Sequence, residues 1–284
     1  MWAGSCRRAG RWPRKLGTYR PRRLSSSSNG NGQPSTQDAV PDQSGSVEGT
    51  SVTATSAGEA PDSFDVLFGT AATGTAWWVR HRDGPRHPLP VGRWLGGEHA
   101  DADDRAVDET LLALCRGRTI DLACGPGRLI EELRRRGVSA MGVDTSPAAV
   151  ALVRERGAKA ELADIFDTVP HEGHWDTVLL VDGNIGIGGD PGRVIGRAQD
   201  IACESGTVHV EVAAPGTGFV AECLRIESDE TAGPWYDWAR IDADTLAPLA
   251  AARGLVQVGV TSIVGRHFAH FVKPPYGSAP ENPE

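Results

Sequence analysis

Four short apolar segments in the middle of the chain each end on an aspartate. They run Thr119 to Asp121, Ser139 to Asp144, Ala160 to Asp164 and Thr177 to Asp182. Apolar runs of this length between turn signals read as buried strands. Helix signals follow three of them: Leu129 to Arg136 closed by Gly137, Ser146-Pro147 opening a helix to Gly157, and Asp190-Pro191 opening one to about Glu204. Strands alternating with helices imply a parallel sheet covered on both faces and joined by right-handed crossovers. The carboxyl ends of such strands face one crevice, where ligands bind at the topological switch point. Asp121, Asp144, Asp164 and Asp182 are therefore expected to border one site.

The remaining elements set the domain plan. Residues 1–62 begin Arg-rich and continue in Ser, Gly, Thr, Gln and Pro, a composition unable to bury enough apolar surface to offset chain entropy, so disorder is expected there. A transit peptide and a nucleic-acid-binding arm are the other readings of this stretch. Residues 63–117 form a cap: a short helix from Ser63, a hairpin around the Asp83-Gly84 turn signal, and a helix between Asp101 and Leu114. The core spans 118–273, with Thr207 to Val212 as a fifth strand, an insert at 213–241, a helix from Ala243 to Arg253 and closing strands at 255–260 and 267–273. Residues 274–284 form a second tail. His267 and His270, three apart on a strand, point to opposite faces and make no ligand pair.

Charge and cysteine content narrow the function. Residues 1–63 carry a net +3, so the rest of the chain carries −11 of the total −8. A body this acidic is a poor ligand for nucleic acid, whose affinity comes from Lys and Arg neutralising phosphates. No 18-residue apolar run is present, so no membrane span is expected. The five scattered cysteines form no metal-binding spacing and are expected to be reduced thiols of a cytoplasmic protein. No metal is expected.

The loop Asp121-Leu122-Ala123-Cys124-Gly125-Pro126-Gly127 joins the first strand to its helix. Without Cβ atoms, Gly125 and Gly127 let backbone N–H groups approach a ligand. Ile130 stands where the dinucleotide fingerprint wants its third Gly or Ala, and acids at four strand ends disfavour a phosphate-bearing ligand. They favour hydroxyls, an amine and positive charge.

These residues resemble the class I S-adenosylmethionine-dependent methyltransferase family, with Ala123 replacing the first glycine of its acidic-x-Gly-x-Gly-x-Gly loop. The resemblance covers residues 64–273 and is strongest over 118–190. It implies an α/β, Rossmann-like fold with a mostly parallel seven-stranded sheet and helices on both faces. It also implies S-adenosylmethionine as cofactor, bound by Asp121, Ala123, Gly125 and Gly127 near the methionine moiety, Asp144 with Thr145 at the ribose, Asp164 and Ile165 at the adenine, and Asp182. A second stretch, Asp182-Gly183-Asn184-Ile185-Gly186-Ile187-Gly188-Gly189-Asp190-Pro191, resembles bacterial methyltransferase-domain proteins. Its glycines are expected to leave the backbone open beside the sulfonium, and Asp182 and Asn184 are the candidate catalytic residues.

Methyl transfer is an in-line displacement in which alignment supplies much of the rate. A protonated nucleophile also needs a base, for which Asp182 is the first candidate and His81 and His87 the next. Trp78, with Trp77 and Trp94, and Trp235, Tyr236 and Arg240 of the insert are candidate acceptor contacts. The resulting expectation is transfer to oxygen or nitrogen of a small molecule. The alternatives are a protein or RNA methyltransferase, a non-catalytic S-adenosylmethionine-binding module, and an NAD-dependent oxidoreductase, the last opposed by Ile130.

Overall fold

Residues 63–70 and 73–275 are described by the computed structural model. The 1–62 segment, and the 274–284 segment beyond Pro275, lie outside the described residues. The described chain opens with α1 (Ser63–Gly69), the hairpin β1 (Trp78–His81) and β2 (Arg86–Pro88), and helices α2 (Val91–Leu95) and α3 (Ala102–Leu112). Then come β3 (Thr119–Leu122), α4 (Arg128–Arg135), β4 (Ala140–Asp144), α5 (Pro147–Glu155), β5 (Ala160–Leu162) and β6 (Trp175–Leu180). A 3-10 segment at Asn184–Gly189 leads to α6 (Pro191–Ile201) and β7 (Ala202–Val212). The chain continues through β8 (Phe219–Glu227), β9 (Tyr236–Ile241), α7 (Ala243–Ala251), β10 (Val256–Ile263) and β11 (Arg266–Val272).

Seven strands form one sheet in the order β10-β11-β7-β6-β3-β4-β5. The pairs among β7, β6, β3, β4 and β5 are parallel, and β11 and β10 add antiparallel strands at one side. Alternation along each strand feeds two apolar layers. Ile120, Leu122, Val178 and Leu180 pack with Val194, Ile195 and Ala198 of α6 and Leu246 of α7. On the other face Leu179 and Phe268 meet Leu111 of α3, Leu129, Ile130 and Leu133 of α4, and Val150 and Val153 of α5. Each such fully buried side chain contributes about 1.5–3 kcal/mol relative to exposure.

The helix starts expected from sequence are capped as their residue types require. Ser146 Oγ accepts from Ala149 N at 3.1 Å and Asp190 Oδ1 from Arg193 N at 3.0 Å. Asp242 does the same for α7, accepting from Thr245 N at 2.9 Å. Such caps contribute about 1 kcal/mol each.

A second sheet, β2-β1-β8-β9, is antiparallel throughout. It joins the hairpin of the 63–117 region to the 213–241 insert, with Val79 opposite Ile226 and His81 opposite Leu224. Cap and insert are thus one structure, a pairing that no local pattern announces.

The turn between β10 and β11 places Val264 at φ 48 and Gly265 at φ 74. Positive φ at both positions is what a type I′ turn demands, and a β-branched residue pays strain there. Val264 is 51% exposed, so its side chain gives little packing in return. Val264→Asn is predicted to stabilise the fold by about 1 kcal/mol, read as a higher urea midpoint at unchanged m-value.

Candidate functional site

Left-handed backbone shapes the loop between β3 and α4. Ala123, Gly125 and Gly127 lie at φ 58, 54 and 80. A Cβ on Gly127 would also sit 2.5 Å from Val153 Cγ2, so α4 and α5 approach only because that residue is glycine. Ala123 holds the same left-handed conformation with a methyl group attached. Asn184 braces it, its Nδ2 donating to Leu122 O at 3.0 Å and Ala123 O at 2.9 Å. The side chain read from sequence as a catalytic candidate is therefore spent on holding the loop.

Asp144, at the end of β4, braces the same loop. Its Oδ2 accepts from Gly125 N at 2.8 Å and its Oδ1 from Ser146 N at 2.9 Å. Thr145 beside it is exposed. Helix α1 closes over this corner, Asp65 Oδ1 accepting from Ser146 Oγ at 2.9 Å and Ala148 N at 2.7 Å. Asp164 Oδ1 accepts from Phe166 N at 2.9 Å, and Ile165 is buried with its carbonyl held by Arg197 Nε at 2.6 Å. The loop, Asp144 and Asp164 thus line up along the carboxyl ends of β3, β4 and β5.

Asp121 is buried, and burial together with the charges of Asp182, Asp144 and Asp108 pushes its carboxyl up to about 8 against the opposing pull of Arg128. It is a neutral acid at pH 7, a state that an arriving cation would reverse.

Asp182 is different. At φ 57, it receives Arg128 Nη1 on Oδ2 at 2.6 Å and Arg266 Nη2 on Oδ1 at 2.9 Å, with Arg93 Nε 3.5 Å away. Arg128 also forks onto Asp108 of α3, with Nε to Oδ2 at 2.9 Å, and Arg266 onto Glu211 of β7, with Nη2 to Oε2 at 2.6 Å. Burial raises the Asp182 carboxyl, but Arg128, Arg266 and Arg93 outweigh it and hold the group below its ordinary value. A carboxylate so held is a poor proton acceptor, which corrects the reading of Asp182 as a base. The acids at the strand ends are also not a bare negative cluster, because guanidiniums from α2, α4 and β11 interleave with them. Arg93, Arg128, Arg266, Asp108 and Glu211 had no motif to mark them.

The glycines after Asp182 serve packing more than openness. A Cβ on Gly186 would collide with the carbonyl oxygen of Ala239, so the 3-10 segment lies directly against β9. Only Gly183, at φ 82, reaches the adjoining cavity.

That cavity, about 570 Å³, lies between the carboxyl ends of β6 and β7 and one face of the four-stranded sheet. Asp182, Gly183, Glu211 and Val212 form its floor, and Val79, His81, Glu222, Leu224, Trp238 and Arg240 its roof. Its size is that of a small-molecule pocket. Of the acceptor contacts expected from sequence, Arg240 lines it. Trp78 and Trp235 do not: Arg86 stacks over Trp78 at 4.0 Å, and Arg225 over Trp235 at 4.8 Å. Tyr236 packs between Phe64 and Trp238, and Trp77 and Trp94 belong with the α1 layer. Trp238 and Glu222 are the lining residues that sequence reasoning passed over.

Among the described residues no three His, Cys, Asp or Glu side chains converge as a metal site, and no helix is long and apolar enough to cross a membrane.

A parallel sheet with a ligand loop after its first strand and acids at the next strand ends defines a Rossmann-like protein. Residues 120–193 match the family model of a methyltransferase domain. Over that stretch the chain is similar to methyltransferase domains. It resembles trans-aconitate 2-methyltransferases of Mycobacterium sp. strains KMS and JLS, at 48% identity over 50 residues, 17% of this chain. That match spans 20% of the length of those relatives. An S-adenosylmethionine-dependent methyltransferase from Bacteroides fragilis, solved with S-adenosyl-L-homocysteine, shares the fold at TM-score 0.63 and 18% identity, over 75% of this chain and 95% of that one.

Two outcomes follow from the charge arrangement. Arg128→Ala strips the guanidinium from Asp182 and Asp108 and is predicted to cost about 3–5 kcal/mol in denaturant unfolding. Because the folded-state value of Asp121 is raised, the stability its proton contributes is full below about pH 4 and is lost as pH climbs to about 8. Asp121→Asn should remove that slope, so that melting temperatures of wild type fall relative to the variant over this window and the difference levels off above it.

Proposed function

We propose that this chain transfers the methyl group of S-adenosylmethionine to an oxygen or nitrogen atom of a small-molecule acceptor. One observation carries the reading: Asn184, next to Gly183 of the 570 Å³ cavity, holds the Leu122 and Ala123 carbonyls of the loop, and Arg128 at the loop's end holds Asp182 on the cavity floor. A cofactor held along the strand ends then has its reactive end beside a cavity with room for a second molecule.

The residues present fit the cofactor. Asp144, with one N–H bond to each oxygen, has the geometry of a carboxylate that accepts from vicinal ribose hydroxyls. Asp164 and Ile165 suit an adenine, offering an acceptor and a buried apolar surface. Asp121, its carboxyl pushed up by burial and by the charges of Asp182, Asp144 and Asp108, suits the cofactor's ammonium group, which would restore its charge. Ala123, Gly125, Gly127 and Thr145 complete the wall. The bound cofactor supplies an activated methyl on a sulfonium. The chain's own part is to orient it, align the acceptor and exclude water.

Small-molecule methylation is favoured over protein or RNA methylation by the roofed shape of the cavity and the net −11 of residues 64–284. The sheet β2-β1-β8-β9 stands over the floor and limits what enters.

Titration calorimetry tests the cofactor assignment. S-adenosylmethionine is predicted to bind and NAD to give no heat; the reverse pattern contradicts the proposal. Asp144→Ala should weaken S-adenosylmethionine by about 2–4 kcal/mol through two lost charge-assisted bonds. It should also lower stability by about 1–3 kcal/mol, since Gly125 N and Ser146 N lose their acceptor. An unchanged dissociation constant would refute the ribose role.

A further inference from the structure

Alternation along β1 gives the roof of the cavity a defined chemistry. Val79 and His81 face the cavity, while Trp78 and Arg80 take the opposite face. His81 Nδ1 lies 3.8 Å from Glu222 Oε1 on β8, and Arg240 Nε of β9 fixes that same oxygen at 2.9 Å. A carboxylate facing Nδ1 favours the tautomer with the proton there and leaves Nε2 with a lone pair. The other ionisable groups facing His81 are His87 of β2, its ring edge-on at 5.5 Å, Arg93 of α2, and Asp182 and Glu211 from the floor.

Each carboxylate of the cavity is already engaged by a guanidinium. Arg128 and Arg266 hold Asp182, Arg266 holds Glu211, and Arg240 holds Glu222. That leaves imidazole as the cavity's base, and of the two imidazoles His81 has the orienting carboxylate. An amine lone pair, a thioether or a carboxylate takes a methyl group without a base, whereas a hydroxyl must lose its proton. Imidazole is better matched to a phenolic or enolic hydroxyl, with a pKa near ~10, than to an aliphatic alcohol closer to water at about 15.7. Trp238 adds a flat apolar wall for a planar ring.

From this geometry we infer that His81, oriented by Glu222, is the proton acceptor for a phenolic or enolic hydroxyl on a planar small molecule. The inference rests on the methyltransferase reading above. As the new O–CH₃ bond forms, the hydroxyl proton passes to His81 Nε2. The S–CH₃ bond breaks with its electron pair going to sulfur, which departs as a neutral thioether, and the imidazolium returns its proton to water. Glu222 acts through His81 and is a positioning residue.

The experiment has a part that needs neither cofactor nor acceptor. Nitrogen-15 NMR of the histidine-labelled full chain should show neutral His81 carrying its proton on Nδ1, and Glu222→Gln should weaken that tautomer preference. A proton on Nε2, or a tautomer ratio indifferent to Glu222→Gln, overturns the pairing. In the second part the protein is incubated with methyl-¹³C S-adenosylmethionine and a small-molecule cell extract, and the carbon shift of the product identifies the atom methylated. An aryl or enol methyl ether is expected. His81→Gln should cut its formation by ~10²–10⁴-fold at neutral pH, with the rate climbing as pH rises, and leave the S-adenosylmethionine dissociation constant unchanged. Label on nitrogen, sulfur or carbon, or a His81→Gln rate and pH profile equal to wild type, overturns the inference while the methyltransferase reading stands. Absence of S-adenosylmethionine binding in wild type sinks that reading itself.

Discussion

Everything at the functional end of this molecule depends on how arginine and carboxylate share a small buried volume. Asp108, Asp121, Asp182 and Glu211 meet at the carboxyl ends of β3, β6 and β7, and unpaired charges there would cost several kcal/mol each. Arg128 and Arg266 repay most of that cost by forking between neighbours, each binding two carboxylates. Because the three elements that supply Arg93, Arg128 and Arg266 come from the cap, the core and the last strand, the network also ties those regions together. Asp121 falls outside the guanidinium hydrogen bonds and stays protonated, so one acid is held in reserve within an otherwise balanced cluster.

The same network divides labour along the strand ends. On the β4 and β5 side, Asp144 and Asp164 meet backbone N–H groups. On the β6 and β7 side, Asp182 and Glu211 are tied to guanidiniums, while the imidazoles of His81 and His87 stand in the cavity wall. The roof exists because β1 and β2, from before the core, pair with β8 and β9, inserted after it. Gly186 lets β9 descend against the 3-10 segment and sets the height of that roof.

Much of the frame was legible in the sequence for local reasons. Strand-end acids, Ser146-Pro147 and Asp190-Pro191 are short-range signals, and the caps at Ser146 and Asp190 use the residues that a helix start requires. Boundaries moved by a few residues, most at β7, which begins at Ala202 where Thr207 was expected. What stayed hidden was long-range. The pairing of residues 78–88 with 219–241 has no periodic signature, so Trp78, which strand alternation turns away, and Trp235, which stacks under Arg225, were expected at a pocket that neither lines. The partners of Asp182 lie on α2, α4 and β11, and a lone arginine carries no mark of the carboxylate it will meet. Asn184 shows the same limit, since an amide read beside a glycine run as a catalytic residue is equally suited to clamp the carbonyls of Leu122 and Ala123.

The central claim is that the loop braced by Asp144 and the cavity under the four-stranded sheet are two halves of one site. A crystal structure of the full chain with S-adenosyl-L-homocysteine tests it most directly. The account predicts ribose hydroxyls on the Asp144 carboxylate, the amino group against Asp121, and the sulfur opening past Gly183 toward His81. A nucleoside bound away from Asp144, or a sulfur facing away from the cavity, would contradict it.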